Sequence, residues 1–230
     1  MKPAVKIFLA ASLLFAMSCK KEENNTVDPP PPVCDTSHHD PDQYDAVTIG
    51  TQKWMSRNLE VMHYRNGDAI PQVESDAAWA ALTTGAWCWY QNQSANGPVY
   101  GRLYNWYAVN DPRGLAPAGW HVPTIAEWDT LSTALGGEFE AGGKLKQSGY
   151  CAWFAPNVGA TNSSGFTAVA SGLRIADGTF IKMGIFAMWW SATPAAAGYA
   201  DYFYVSTFYA FTYTGSDVNA FGLAVRCVRD

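Results

Sequence analysis

The chain has 230 residues, 48% hydrophobic and only 15% charged, enough for one well-filled core of ordinary domain size. Its 10 Trp, 12 Tyr and 11 Phe serve either a core of large flat side chains or a surface that stacks on sugars and other rings. With 20 acidic against 15 basic residues, the balance argues against nucleic acid and against charge-driven binding to anionic membrane.

Residues 1–18 carry Lys2 and Lys6, then an apolar run from Ile7 to Met17, then Ser18 ahead of Cys19. This pattern is read as an export signal with a lipobox, the apolar run being too short to cross ~30 Å of hydrocarbon as a helix. Cys19 is therefore the expected lipid-bearing first residue of the mature chain, with the membrane as a partner through that lipid. The Lys20, Lys21, Glu22, Glu23 cluster resembles the lipoprotein export signal of Bacteroidetes, which implies an outer-membrane lipoprotein displayed at the cell surface. Residues 19–43 show no apolar periodicity, and Pro29 to Pro32 favour a stiff, extended tether. Losing the two signal lysines leaves 13 basic against 20 acidic residues, a net charge of −7.

A single domain is expected over residues 44–230. Val47 to Trp54 alternates around Gly50-Thr51 and reads as a hairpin, and Asn58 to Tyr64 as a further strand ending in an Asn66-Gly67 turn. Ser75 caps a short helix ending at Gly85. Ala86 to Gln91 is a β-prone aromatic run, and Gly101 to Val109 places Leu103, Trp106 and Tyr107 on one helical face. In Gly119 to Gly137, Thr124 and Glu127 have capping-box spacing, and Ile125, Trp128, Leu131 and Leu135 form a core-facing stripe. From Tyr150 onward, short β-rich runs separated by Gly, Asn, Ser and Pro predict an irregular antiparallel sheet with long loops, closed by Gly222 to Asp230 with Cys227 on the more apolar face.

Cys34, Cys88, Cys151 and Cys227 remain after Cys19, without a CxxC pair or a His at metal-ligand spacing, so neither a zinc site nor any other metal or cofactor is expected. One disulfide among Cys88, Cys151 and Cys227, or buried free thiols, would each suit an exported chain. There is no GxSxG, HExxH or phosphate loop. His121 reads as a structural histidine and Glu127 as a capping acid.

The words Trp54-Met55, Arg57-Asn58-Leu59, Ala86-Trp87-Cys88-Trp89-Tyr90, Tyr104-Asn105-Trp106-Tyr107, GWHVPTIAEWDTL, Gly142-Gly143-Lys144-Leu145-Lys146, Gly165-Phe166-Thr167-Ala168, Trp189-Trp190-Ser191 and Val225-Arg226-Cys227-Val228-Arg229 resemble, in order, the Fibrobacter succinogenes major paralogous domain family. The resemblance implies a scaffold related to C-type lectin-like and sulfatase-modifying-factor folds: α+β, with an irregular antiparallel sheet, two to three short helices and long loops. By the same analogy Cys227 would pair with Cys88. The lectin calcium motif is reduced to Ala155-Pro156-Asn157 without its carboxylate, so no calcium is expected there.

These readings converge on a non-catalytic, lipid-anchored surface protein whose lectin-like module binds a glycan or a surface protein. Trp189, Trp190, Tyr202 and Tyr204 are the candidate ligand-stacking residues, with a core role as the competing assignment. The alternatives are a structural subunit of a surface assembly and a divergent enzyme of the sulfatase-modifying-factor kind.

Overall fold

The computed structural model describes residues 44–230, so Cys19, the signal segment and the tether lie outside the described residues. The fold is α+β, with twelve strands in three antiparallel sheets and five α-helices among the described residues. The first sheet has the order β1 (Ala46–Ile49), β2 (Gln52–Met55), β12 (Val228–Arg229), β5 (Trp120–His121). The second runs β3 (Trp87–Cys88), β4 (Leu103–Asn105), β11 (Gly222–Leu223), β6 (Leu173–Arg174), β7 (Phe180–Ile181). The third runs β10 (Thr212–Val218), β9 (Tyr199–Ser206), β8 (Phe186–Ala196).

Local signals act where they predict. β1 and β2 form a hairpin, Ala46 opposite Met55, with Gly50 at φ +60° in its turn. Ser75 accepts from the Ala78 N–H to cap α1 (Asp76–Ala80), although that helix stops after five residues. In α4 (Ile125–Ala134) the Thr124 hydroxyl accepts from the Glu127 N–H, while the Glu127 carboxylate accepts from the Thr124 N–H at 2.8 Å. The capping box is complete.

Three segments differ from expectation because tertiary partners claim their backbones. Asn58 to Tyr64 is not a strand: Leu59 N–H donates to Val225 and Leu59 C=O accepts from Arg102, which are pairings to two different segments. Only Gly67 of the following turn has positive φ. Gly101 to Val109 is split into β4 and α3 (Trp106–Val109), because Asn105 Oδ1 accepts from both Ala86 N–H and Ala108 N–H, ending one element and capping the next. Helices α2 (Gly97–Tyr100) and α5 (Glu138–Leu145) lie outside the predicted helical stretches, so five helices replace two to three. In α5 the adjacent Gly142 and Gly143 weaken helix propensity, yet a Cβ on either would run into the Phe211 or Gly159 carbonyl. Close approach of α5 to the β9–β10 connection at Gly142 and to the Gly159 loop at Gly143 explains them.

β8 divides the interior. Trp189, with Ala187, faces one core built on Trp54, Trp128, Trp153, Phe166 and Phe203, whereas Trp190, with Met188, faces a second core containing Tyr104, Trp106, Leu223 and Cys227. The closing segment joins all three sheets: β11 lies in the second, Ala224 bridges to Trp189, and β12 enters the first. Its alternation therefore separates two cores rather than core from solvent, with Leu223, Val225 and Cys227 in one and Ala224 and Val228 in the other.

Candidate ligand-binding face

The third sheet presents its two faces unequally. Phe203 and Val205 of β9 pack inward, with the Phe203 ring stacked 4.4 Å from that of Trp128 of α4. On the opposite face the antiparallel register places Tyr204 beside Met188 and Tyr213, and Tyr202 beside Trp190 and Gly215. That face is sealed at β8 and emerges toward solvent at β10, the opposite edge of the sheet. A Cβ on Gly215 would meet the Tyr202 ring at 2.7 Å, so the glycine leaves room for that ring to lie across β10.

The result is a continuous aromatic row. Tyr202 lies 5.7 Å from Tyr204, which stacks on Tyr213 at 5.0 Å, and Tyr213 lies 6.2 Å from Phe211. Phe211 stacks on Tyr209 at 5.6 Å and meets Phe139 of α5 edge-on at 5.2 Å. The row ends at the most open rings, Tyr209 at 53% and Phe139 at 64% exposure. Stacked pairs spend one face on each other, leaving ring edges, outer faces and tyrosine hydroxyls for a ligand.

Of the residues singled out in the sequence, Trp189 and Trp190 are overturned as ligand contacts: both are completely buried, their indole N–H groups donating to Asn58 Oδ1 and the Tyr104 carbonyl. Burial on both sides of β8 is the reason. Tyr202 and Tyr204 are half-buried members of the row. The Cys88–Cys227 disulfide is also overturned: both thiols are free and buried, one in each core. Burial pushes the Cys88 thiol up to about 12 and raises Cys227 as well, so neither is a ready thiolate. Cys151 is disulfide-bonded. Asn157 donates to the Gln147 and Gly149 carbonyls, holding its own loop. Among the described residues no group of three or more His, Cys, Asp and Glu is placed to hold a metal ion.

The sequence model of the Fibrobacter succinogenes major domain matches residues 47–229. The chain belongs to this family. No curated protein and no solved structure matches it.

Sequence reasoning also missed a property of this Fibrobacter succinogenes major domain: its buried cations. Lys146, fully buried, donates to the Val158, Ser206 and Tyr209 carbonyls at 2.8–2.9 Å, and burial pulls its ammonium down to about 8. Arg174 donates to the Gly178, Val73 and Glu74 carbonyls and to Asp76 Oδ1. Arg226 donates to Asn58 Oδ1 and to the Met55 and Phe166 carbonyls, its guanidinium 4.3 Å above the Phe166 ring. Carbonyl acceptors leave no mark in a sequence, so Gly142-Gly143-Lys144-Leu145-Lys146 was a family word without a visible reason.

At the start of α4, His121 donates from Nε2 to Glu127 Oε1 and from Nδ1 to Asp230 Oδ1, both at 2.8 Å. With a carboxylate at each nitrogen, only the protonated ring can donate to both. Burial opposes that charge, but the hydrogen bonds to Glu127 and Asp230 outweigh it and raise the His121 pKa. A raised folded pKa gives stability that is complete below the unfolded value near 6.5 and lost as pH rises through the folded value. Because the side chain is 38% exposed, the effect is small. Between pH 6 and pH 7.5, mostly below the range in which the Lys146 ammonium titrates, the wild type should lose about 1 °C of melting temperature relative to His121→Gln in thermal denaturation.

Proposed function

We propose that this chain is a non-catalytic, lipid-anchored protein of the outer cell surface whose domain, a C-type lectin-like scaffold, binds glycan along the aromatic row of β9 and β10. The observation that carries this reading is the continuity of Tyr202, Tyr204, Tyr213, Phe211 and Tyr209 on one partly open face. Sugar rings have apolar faces rimmed with hydroxyls. Tyrosines answer both parts, offering an apolar ring and a hydroxyl at its tip. The lipobox at Cys19, the proline tether and the Lys-plus-acidic cluster supply the anchoring and display.

Glycan-array binding by the mature chain, followed by titration of the best glycan, tests this. Tyr213→Ala should weaken affinity about tenfold, or about 1.4 kcal/mol, without lowering the melting temperature by more than a few degrees, since Tyr213 lies on an edge strand. Binding should survive EDTA. Failure to bind any glycan sinks the reading, and protease resistance of the protein on intact cells sinks surface display.

A second reading, a subunit of a surface assembly, is favoured by one observation. β10 is a seven-residue edge strand with neither Lys nor Pro, beside the exposed rings of Phe139, Phe208 and Tyr209. Concentration-dependent self-association of the mature chain would support it.

A further inference from the structure

Cys151, in the connection between α5 and β6, is chemically unlike the two other described cysteines. Cys88 and Cys227 are free thiols, completely buried and held away from the thiolate by that burial. Cys151 is half-buried and disulfide-bonded. Because both other described cysteines are free, its partner stands outside the described residues, where the sequence has two cysteines, Cys19 and Cys34.

The fold brings the start of the domain to Cys151. Asp45, Ser56, Arg57, Gln147 and Cys151 line one open cavity of about 210 Å³. The Asp45 carbonyl is fixed there, accepting from the Ser56 N–H at 2.9 Å. Just before it, the Tyr44 hydroxyl accepts from the Glu60 N–H at 3.0 Å, and the Arg57 guanidinium lies 4.8 Å from the Tyr44 ring centre. The chain therefore enters the domain beside Cys151. Cys34 precedes Tyr44 by only ten residues. An extended chain gains about 3.3 Å per residue, so those ten residues reach several times farther than crossing a cavity of that volume requires. Cys19 lies farther back, and on the lipid-anchor reading proposed above its sulfur carries the lipid as a thioether and cannot form a disulfide. From these observations we infer that Cys34 and Cys151 form a disulfide that fastens the tether to the domain. The exclusion of Cys19 rests on the lipid-anchor reading, whereas the reach of Cys34 does not.

Each of the two thiols gives up one proton and one electron as the S–S bond forms. The two protons and two electrons pass by thiol–disulfide exchange to a disulfide-bearing oxidase of the export compartment, which leaves as a dithiol. The bond therefore forms only once the chain has left the reducing cytosol. In the unfolded chain it closes a loop holding more than half of the domain, but in the folded chain it closes only the short stretch up to Tyr44, so it favours the folded state. It also shortens the tether. Residues 20–33, with Pro29 to Pro32, then separate lipid from fastened domain, a reach of about 40 Å in polyproline geometry.

The mature chain, isolated from cells after export with its free thiols blocked under denaturing conditions, is digested with trypsin without reductant and mapped by mass spectrometry. Lysine and arginine positions release residues 22–53, whose one cysteine is Cys34, and residues 147–174, whose one cysteine is Cys151. These two peptides should appear joined and should part on reduction, while Cys88 and Cys227 carry the blocking group. Cys34→Ser and Cys151→Ser should each melt about 5 °C below the wild type, the double variant no lower, and reductant should bring the wild type to the same temperature. The inference is overturned if the Cys34 peptide is blocked and unlinked, if Cys151 is joined to Cys88 or Cys227, or if Cys34→Ser melts like the wild type. A link between two copies, seen as a dimer on a non-reducing gel, would also overturn it. A Cys19–Cys151 link would overturn both this inference and the lipid-anchor reading. A Cys34–Cys151 link in a chain whose Cys19 bears no lipid would uphold the inference and sink the anchor alone.

Discussion

Trp128→Ala should cost about 4 kcal/mol in urea denaturation, the largest effect expected of any single truncation in the domain. The indole is fully buried and touches four rings that come from four parts of the chain: Trp54 at 4.6 Å, Phe166 at 6.1 Å, Trp189 at 5.7 Å and Phe203 at 4.4 Å. Those neighbours are themselves held by β2, β8 and β9 and by one another, so they cannot collapse into the vacated volume. Aromatic contact geometry adds to the area term. The Trp128 N–H is buried without a partner, so Trp128→Phe removes an unsatisfied donor along with one ring and should cost clearly less than the alanine variant. Equal losses for the two variants would show that volume is not what Trp128 contributes.

Lys146→Met should cost about 3 kcal/mol although it replaces a buried charge by an apolar side chain of similar length. Exchanging a buried cation for a hydrophobe is often harmless when both partners are exchanged. Here the partners are three backbone carbonyls, Val158, Ser206 and Tyr209, which remain and lose their donor. Buried carbonyls left without a donor each carry a desolvation cost. The damage should also be local, because those carbonyls tie the Val158 loop and the β9–β10 connection to the end of α5. Amide exchange around residues 206–211 should accelerate in Lys146→Met, and the Tyr209 end of the aromatic row should loosen with it. An unchanged exchange pattern would mean that the ammonium is not what fastens that connection.

The contrast between Lys146 and Glu127 explains what could be read in advance. Glu127 announces itself through a partner three residues away, so the capping box, the start of α4 and its buried Trp128 and Leu131 were legible. The β1–β2 hairpin was legible for the same reason, its turn lying between the residues that pair. Glu127's second contact, to His121, required only knowing that β5 leads directly into α4, but its completion by Asp230 depends on β12 pairing with β5. Lys146 reaches acceptors up to 63 residues away that are ordinary peptide carbonyls, and no residue type marks them.

The aromatic residues show the same division. Residue type alone could not separate Trp189 and Trp190 from Tyr202 and Tyr204, because all four are aromatic residues in strands whose neighbours show no clean apolar–polar alternation. Position in the sheet separates them: β8 is central to two cores, and β9 turns one side toward an edge.

What the sequence by itself determined is the set of short-range features, namely the capped helix, the first hairpin, the family and the α+β class, since hydrogen bonds and periodicities within a few residues are written in residue types. Only the tertiary structure decided which aromatic rings face solvent, that Cys88 and Cys227 lie in separate cores, and that the buried cations Lys146, Arg174 and Arg226 reach backbone carbonyls. Each of these depends on which distant backbone or ring arrives at a side chain, and burial on both faces of a strand erases the alternation that would have foretold it.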